Sequence, residues 1–210
     1  SFNENQLGFQ ADNLIAIPEL YVDYRFNDDV YAGYLTYSKQ WKKVSLQLGG
    51  RIESSKYAGD LLSKNQSFSN EFPFSFFPSA YTTFSLSKKE DLQLNYSRKI
   101  NRPGFFQLIP FIDFSDSLNL SIGNPNLVPE FTHLVEMTYS NQVASGQTFL
   151  ATAYGRLTNN LITRYQYRDK NPNPAKTDSV VFTTYANATR SFTYGLELTS
   201  KNKISKRTSS

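Results

Sequence analysis

Strict alternation runs through the segment Val44-Ser45-Leu46-Gln47-Leu48-Gly49-Gly50-Arg51-Ile52-Glu53. Its even positions are mostly aliphatic, and its odd positions are mostly polar or charged. Because successive side chains of a β-strand point to opposite faces, a period of two predicts a strand with one apolar face and one polar face. Leu46 is therefore expected on the apolar face and Gln47 on the polar face.

The same division recurs along the chain. Phe192, Tyr194, Leu196 and Leu198 alternate with polar residues, and a similar pattern covers residues 92–97 and, more weakly, 79–86. This patterning, with turn residues between the segments, predicts an all-β chain. The predicted strands cover about 20–38, 43–55, 79–88, 92–100, 132–141, 148–167 and 179–200, with a further strand before Pro18.

Composition supports the all-β class and removes several others. Phe and Tyr are abundant, at 17 and 14 residues, which is typical of strands. No window approaches the ~18 consecutive apolar residues of a transmembrane helix, which excludes a helical membrane protein. The mean hydropathy of −0.48 is compatible with a membrane β-barrel, whose strands alternate lipid-facing and lumen-facing residues. The 22 basic residues face 18 acidic residues without a basic block, so no nucleic acid partner is expected.

The predicted connections alternate in length. Short ones cover residues 39–42, 88–91, 141–147 and 201–206, and longer ones cover 54–78, 101–131 and 168–178. An antiparallel up-and-down transmembrane barrel has short turns at one rim and longer loops at the other, whereas a soluble sandwich has no reason to sort them. Lysines concentrate at the short turns, and Tyr37, Trp41 and Tyr139 lie beside them, where an aromatic girdle meets lipid headgroups.

One series of motifs is more specific. It begins with Tyr96-Ser97-Arg98-Lys99-Ile100-Asn101-Arg102-Pro103, continues with Leu108-Ile109-Pro110-Phe111, and ends with Gly123-Asn124-Pro125-Asn126-Leu127-Val128-Pro129-Glu130. Proline cannot donate a ladder hydrogen bond, so a strand is expected to end near Arg102, and Gly-Asn-Pro is turn chemistry. The series resembles the barrel domain of TonB-dependent outer-membrane receptors, especially the outer-membrane β-barrel family of Bacteroidota.

The resemblance implies a location in the bacterial outer membrane and a barrel of roughly 22 strands, of which this chain supplies about seven or eight. Residues 1–210 are then part of a single barrel domain, with the plug domain and the C-terminal strands outside this chain. The implied function is import of a scarce or large ligand, of the siderophore, glycan, peptide or cobalamin class. The implied partners are outer-membrane lipid, the protein's own plug, the TonB energy-coupling complex and a surface lipoprotein.

Two other classes stay open from the residues alone. One is a non-transporting outer-membrane barrel for assembly, adhesion or scaffolding, which would lack a plug and a Ton box. The other is a soluble β-rich carbohydrate-binding module, which would fold in water without detergent.

Candidate site residues fall into two groups. Eight motif residues are expected to shape a loop, with ligand or plug contact as the alternative: Arg102, Pro103, Gly123, Asn124, Pro125, Leu127, Pro129 and Glu130. Four charged residues on polar faces are expected to point into the lumen and to pair across strands or touch a plug: Arg51, Glu53, Arg156 and Glu197. Apolar residues of the long loop are expected to pack into the barrel mouth or against a plug or lipoprotein: Leu108, Ile109, Phe111, Ile112 and Phe114.

Residues for catalysis or metal binding are not apparent. His133 is the single histidine, cysteine is absent, and no Gly-x-Ser-x-Gly elbow occurs. Asp113 and Asp116 lack the spacing of an EF-hand loop. We therefore expect no enzyme activity, no cofactor and no metal site.

Overall fold

A computed structural model describes residues 2–4, 7–10, 13–16, 22–62, 65–113, 116, 119–144, 146–172 and 177–202. Its elements, in chain order, are β1 (Phe2–Glu4), β2 (Leu7–Gln10), β3 (Asn13–Ala16), β4 (Val22–Gln40), β5 (Val44–Leu61), β6 (Gln66–Ser85), β7 (Glu90–Asn101), α1 (Phe105–Leu108), β8 (Ile112–Asp113), β9 (Asn119–Ile122), β10 (Glu130–Ala144), β11 (Gln147–Lys170) and β12 (Ser179–Lys201). No helix among the described residues is long and apolar enough to cross a membrane.

Ten of these strands form one sheet in the order β1-β4-β5-β6-β7-β10-β11-β12-β9-β8. Seven long strands, β4 to β7 and β10 to β12, follow one another as antiparallel neighbours, and β9 adds to β12 in parallel. The up-and-down antiparallel arrangement confirms the predicted fold class. The strand predicted before Pro18 corresponds to the separate hairpin of β2 and β3, and the predicted start at residue 20 lies outside the described residues.

The predicted faces follow from the register. Leu46 shares the apolar face with Lys39 and Thr82, its cross-strand partners. We call this the outer face, because exposed apolar side chains line it on strand after strand: Leu35, Tyr37, Leu48, Ile52, Val135, Met137, Phe192, Tyr194, Leu196 and Leu198. The opposite, inner face carries the threonine pairs Thr132 with Thr158 and Thr138 with Thr152, whose hydroxyls hydrogen-bond at 3.0 Å. One wall thus has an apolar side and a polar side.

The two ends of the sheet differ. At the short-turn end, residues 41–43 join β4 to β5 and residues 86–89 join β6 to β7, while β10 ends at Ala144 and β11 begins at Gln147. At the opposite end, the loop end, residues 102–129 connect β7 to β10. Short connections at one rim and one long connection at the other agree with the predicted topology.

The predicted long loop over 54–78 is wrong. β5 continues to Leu61 and β6 begins at Gln66, so the two strands form a hairpin that extends past the neighbouring ladder. β6 contains Pro73 and Pro78, which are tolerated because β6 pairs with β7 only over residues 79–85 and this part of its edge is unpaired. The register between β5 and β6 shifts at a bulge between Glu53 and Ser55. The predicted connection 168–178 is likewise shortened to 171–178 by longer strands.

Buried side chains concentrate where the 102–129 connection meets the inner face. One cluster joins Tyr24 and Leu61 to Ile109 and Phe111, and a second joins Tyr57 to Leu108 and Leu127. A third joins Leu120 to Val180 and Phe182 of β12. The core of this wall is therefore formed between its longest connection and its extended strands.

Candidate functional site

Residues 102–129 form the candidate site, and we call them the crossing segment. Toward the loop end, beyond the β6–β7 ladder, β6 pairs only with β5 and β7 pairs only with β10. The sheet is therefore open between β6 and β7 at this end. The described part of the crossing segment contacts β4 to β6 through Leu108, Ile109 and Leu127, and it contacts β12 through β9. It therefore bridges two parts of the wall that are separated by β7, β10 and β11 in the sheet.

A buried carboxylate fastens the start of the crossing segment. The Glu53 side chain is only 2% exposed, and Arg51 donates to its Oε2 through Nη2 at 2.7 Å and through Nε at 3.1 Å. Arg102, the residue after β7, forms a salt bridge with Oε1 of the same carboxylate. A buried carboxylate needs such partners, because an unpaired charge in the interior is strongly unfavourable. The fold thus brings together three of the predicted site residues.

Glu53 does not pair across strands as the sequence suggested. Its partner Arg51 lies two residues away on the same strand and face, while its cross-strand neighbours are Ala32 and Ser75. The other salt bridge comes from Arg102, which no strand register could have indicated. Glu53 is therefore a link between wall and connection rather than a link between strands.

The end of the crossing segment is held by the β5–β6 hairpin. The Tyr57 hydroxyl donates to the carbonyl of Leu127 at 2.9 Å, and Asn70 Nδ2 donates to the carbonyl of Pro125 at 2.8 Å. Tyr57 is 2% exposed, and this burial raises its pKa to about 12. The phenol therefore remains a protonated donor at physiological pH.

The β11–β12 hairpin holds the same segment from the other side. Asn124 Nδ2 donates to the carbonyl of Tyr185 at 2.9 Å. Asn187 binds both backbone groups of Val128, accepting from its N–H at 3.0 Å and donating to its carbonyl at 2.9 Å. The Asn187 amide also donates to the Asn160 carbonyl at 2.7 Å. Side-chain amides thus replace a regular ladder where the connection crosses the wall.

Glu130 closes the segment at the first residue of β10. Its Oε1 accepts from the backbone N–H of Ile162 at 2.6 Å, and its Oε2 accepts from Asn101 at 2.8 Å. Glu130 is 8% exposed, so the two bonds satisfy a carboxylate that is largely removed from solvent. Its role in this structure is to tie β7, β10 and β11 together.

Gly123 permits a close backbone crossing inside the segment. Its N–H donates to the Ile109 carbonyl at 3.0 Å, and the N–H of Asn124 donates to the backbone carbonyl of Gln107 at 2.7 Å. A Cβ at position 123 would lie 2.4 Å from the Ile109 carbonyl oxygen. Only glycine fits here without moving the backbone. Pro103, Leu127 and Pro129 are buried, and Pro125 is half-buried.

Arg156 and Glu197 lie elsewhere on the inner face. Arg156 is opposite Leu134 and Thr193, and Glu197 is opposite Thr152. Both are exposed, and neither forms a salt bridge within the described residues. The predicted lumen-facing charges therefore separate into one buried cluster at Glu53 and two isolated exposed groups.

Buried apolar residues of the connection pack against the inner face of β4 to β6. Leu108 is fully buried, and Ile109 and Phe111 are 7% and 9% exposed. Phe114 lies outside the described residues. Next to this cluster is a cavity of about 320 Å³ whose lining combines aromatic rings with Asp113 and Arg164. The crossing segment therefore shapes a recess at the loop end.

Sequence reasoning missed several contact residues of this site. They are Tyr57, Asn70, Asn160, Tyr185 and Asn187. Tyr57 and Asn70 fell in the region assigned to a loop, and Asn187 looked like an ordinary polar strand position. A usable signal existed at Asn160, because the pair Asn159-Asn160 interrupts a strand pattern and Asn160 has a φ of 56°, a conformation that asparagine tolerates.

Comparison with known proteins identifies the family. The Outer membrane protein beta-barrel family matches residues 2–210. The chain belongs to this family. Its place is accordingly the bacterial outer membrane, and the apolar outer face of the sheet is its lipid-facing side. No curated protein matches the chain.

Solved structures support the same wall architecture. The siderophore receptor PirA from Pseudomonas aeruginosa is 14% identical with a TM-score of 0.55, covering 85% of this chain and 40% of the receptor. The copper transporter OprC is 12% identical with a TM-score of 0.62, covering 97% and 31%. A mutant of the ferric enterobactin receptor PfeA from P. aeruginosa, in complex with enterobactin, is 13% identical with a TM-score of 0.51, covering 90% and 35%. At these identities the likeness establishes the fold, and this barrel chain spans well under half of each receptor.

Proposed function

We propose that this chain is part of the wall of a TonB-dependent receptor that imports a scarce or large ligand across the outer membrane. In this proposal the remaining strands close the barrel, a plug domain fills its lumen, and the TonB complex supplies the energy. The ligand class is that of siderophores, glycans, peptides or cobalamins. A surface lipoprotein at the mouth is part of the same proposal.

The crossing segment is the observation that carries this proposal. A connection that only joined two strands would not need Glu53, Tyr57, Asn124 and Asn187 to fix it to both sides of the wall. Long ordered connections are usually functional. A fixed segment at the loop end gives a barrel mouth a defined shape, which is what selective ligand capture requires. The fold shared with a siderophore receptor and a copper transporter favours the same reading.

The exposed inner-face charges fit a plugged lumen. Arg156 and Glu197 have no salt-bridge partner within the described part of the chain, so they are available to a domain inside the barrel. The threonine pairs of the same inner face are polar, which favours a hydrated interface from which a plug can separate during transport. Neither feature requires a particular ligand.

Uptake by whole cells tests the proposal. Cells that express the full-length protein are compared with cells that lack it, each with and without functional TonB, using labelled ferric siderophores, oligosaccharides, peptides and cobalamin. We expect one ligand class to accumulate only when both the receptor and TonB are present. Equal accumulation in all four strains for every class would contradict import and favour a non-transporting barrel.

A variant separates the mouth from the barrel. Replacing the buried residues Leu108, Ile109 and Phe111 by serine removes the apolar contacts that seat the crossing segment. We expect such a variant to insert into the outer membrane and to lose most of its uptake. Normal uptake with an unseated segment would show that the segment does not shape the ligand path.

A further inference from the structure

Lysine is concentrated at the short-turn end of the wall. The described lysines of this rim are all exposed, and none of them forms a salt bridge within the described part of the chain: Lys39, Lys42, Lys43, Lys88, Lys89 and Lys201. The loop end, in contrast, mixes both signs, as in the Lys56–Glu71 salt bridge and the run Arg168-Asp169-Lys170. The two rims of one wall therefore differ in charge.

The acidic residues of the lysine-rich rim are engaged locally. Glu90 accepts from the Tyr139 hydroxyl at 2.7 Å, and Asp91 accepts from the Ser85 hydroxyl at 2.8 Å. Neither carboxylate forms a salt bridge with a rim lysine in the described structure. The rim thus keeps an excess of uncompensated positive charge.

The position of Lys39 relates this charge to the membrane surface. Lys39 lies on the outer face in the same row as Leu35 and Tyr37, opposite Leu46 of β5. An ammonium group on the lipid-facing side is unfavourable in hydrocarbon, so this row must leave the hydrocarbon layer between Tyr37 and Lys39. Trp41 follows directly, 47% exposed, with the Lys39 ammonium 5.3 Å from its ring centroid. Aromatic residues beside lysines are typical of the headgroup layer.

We propose that this rim binds the phosphate groups of anionic phospholipids in the membrane leaflet that it faces. The lysines of the turns 41–43 and 86–89, together with Lys39 and Lys201 at strand ends, supply the charge. Trp41 and Tyr37 fix the depth at which these lysines meet the headgroups. Each basic residue near an anionic membrane surface contributes a favourable, salt-dependent attraction. The proposal rests on the membrane location of the wall and is independent of which ligand the receptor imports.

Trp41 provides a direct probe, because it is the only tryptophan of the chain and lies among Lys39, Lys42 and Lys43. The full-length protein is reconstituted in phosphatidylcholine vesicles that contain the same fraction of either brominated phosphatidylglycerol or brominated phosphatidylcholine. The Trp41 signal is the difference between this protein and a Trp41→Phe variant. At low salt we expect brominated phosphatidylglycerol to quench this signal at least roughly twofold more strongly than brominated phosphatidylcholine does.

Charge variants complete the test. The triple variant Lys39→Gln, Lys42→Gln and Lys43→Gln is expected to lose the preference, whereas lysine-to-arginine changes at the same positions keep it. Arg168→Gln with Lys170→Gln, at the loop end, is the matched control and should keep it as well. About 1 M salt, where the Debye length is about 3 Å, should abolish the preference in the unmodified protein. Equal quenching by the two lipids at low salt, or a preference that survives the triple glutamine change, would overturn the proposal.

Discussion

Glu53→Gln tests whether the buried carboxylate seats the crossing segment. The substitution keeps the size of the side chain and removes the charge that Arg51 and Arg102 share. Both arginines then face a neutral amide, and the first residue of the crossing segment loses its salt bridge to the wall. We expect the segment to open more often, while the strand ladders stay intact.

The expected magnitude follows from the exposure of the three side chains. Removing one partner of a fully buried ion pair costs about 3–5 kcal/mol. Glu53 is 2% exposed, but Arg102 is 25% and Arg51 is 46% exposed, so water recovers part of their solvation. A cost of about 2 kcal/mol is therefore reasonable, which corresponds to a roughly 30-fold larger opening equilibrium for the segment.

Hydrogen exchange measured by mass spectrometry on the full-length protein gives the readout. The amides of Gly123 and Asn124, which bond to the carbonyls of Ile109 and Gln107, should exchange roughly 30-fold faster. Amides of the β10–β11 ladder should be unchanged. Glu197→Gln is the matched control, because it removes an inner-face glutamate that has no salt bridge within the described residues, and it should leave the segment protected.

Two results would refute this reasoning. Unchanged exchange in the crossing segment of the Glu53→Gln variant would mean that the salt bridges do not hold it. Faster exchange spread evenly over the whole barrel would mean that Glu53 stabilises the wall in general rather than this connection.

Three further substitutions test other parts of the account. Leu196→Arg should destabilise the folded barrel by about 2–4 kcal/mol in reversible unfolding in vesicles, since at about 3.3 Å per residue and a strand tilt near 45° Leu196 lies ~12 Å above Lys201 and near the midplane. Gln47→Arg, on the inner face opposite Ser38 and Tyr81, should cost much less. Gly123→Ala should loosen the crossing segment, because the added Cβ would lie 2.4 Å from a backbone oxygen, and limited proteolysis should cut there first. Tyr57→Phe should remove the phenol whose pKa burial raises from 10.0 to about 12, seen as a smaller absorbance change near pH 12 in an ultraviolet titration. The stabilisation from this shift is complete below pH 10 and is lost as the pH rises through 12.

The period of two was sufficient to predict most of the wall. Apart from the ends of β5 and β6 at residues 54–78, it located the long strands to within a few residues. It also assigned Leu46 and Leu196 to the apolar face, because one face of every strand meets lipid. It failed over residues 54–78, where inner-face residues such as Tyr57 and Phe68 are covered by the crossing segment. There the inner face carries aromatic residues and the outer face carries Lys56, Asp60 and Glu71, so the polarity of the two faces is reversed although the strands continue.

The contacts of the site could be predicted only in part. The Arg-Pro and Gly-Asn-Pro motifs correctly indicated a strand end and a tight turn, which are local consequences of proline and glycine. The partners of Arg102 and Asn124 are Glu53 and the Tyr185 carbonyl, which lie far away in sequence. Such contacts depend on how the sheet opens between β6 and β7, and no local pattern encodes that opening.

Labelling of whole cells tests the central claim most directly, namely that this chain spans the outer membrane with the crossing segment at the cell surface. Single cysteines are introduced at Asn126 in the crossing segment and at Lys89 in a short turn, both of which are exposed, in a full-length protein otherwise free of cysteine. Intact cells are treated with a thiol reagent that cannot cross the outer membrane, and lysed cells show that each cysteine can react. We predict labelling at Asn126→Cys and protection at Lys89→Cys in intact cells. The reverse pattern would invert the barrel, and labelling of both positions would contradict a membrane-spanning wall.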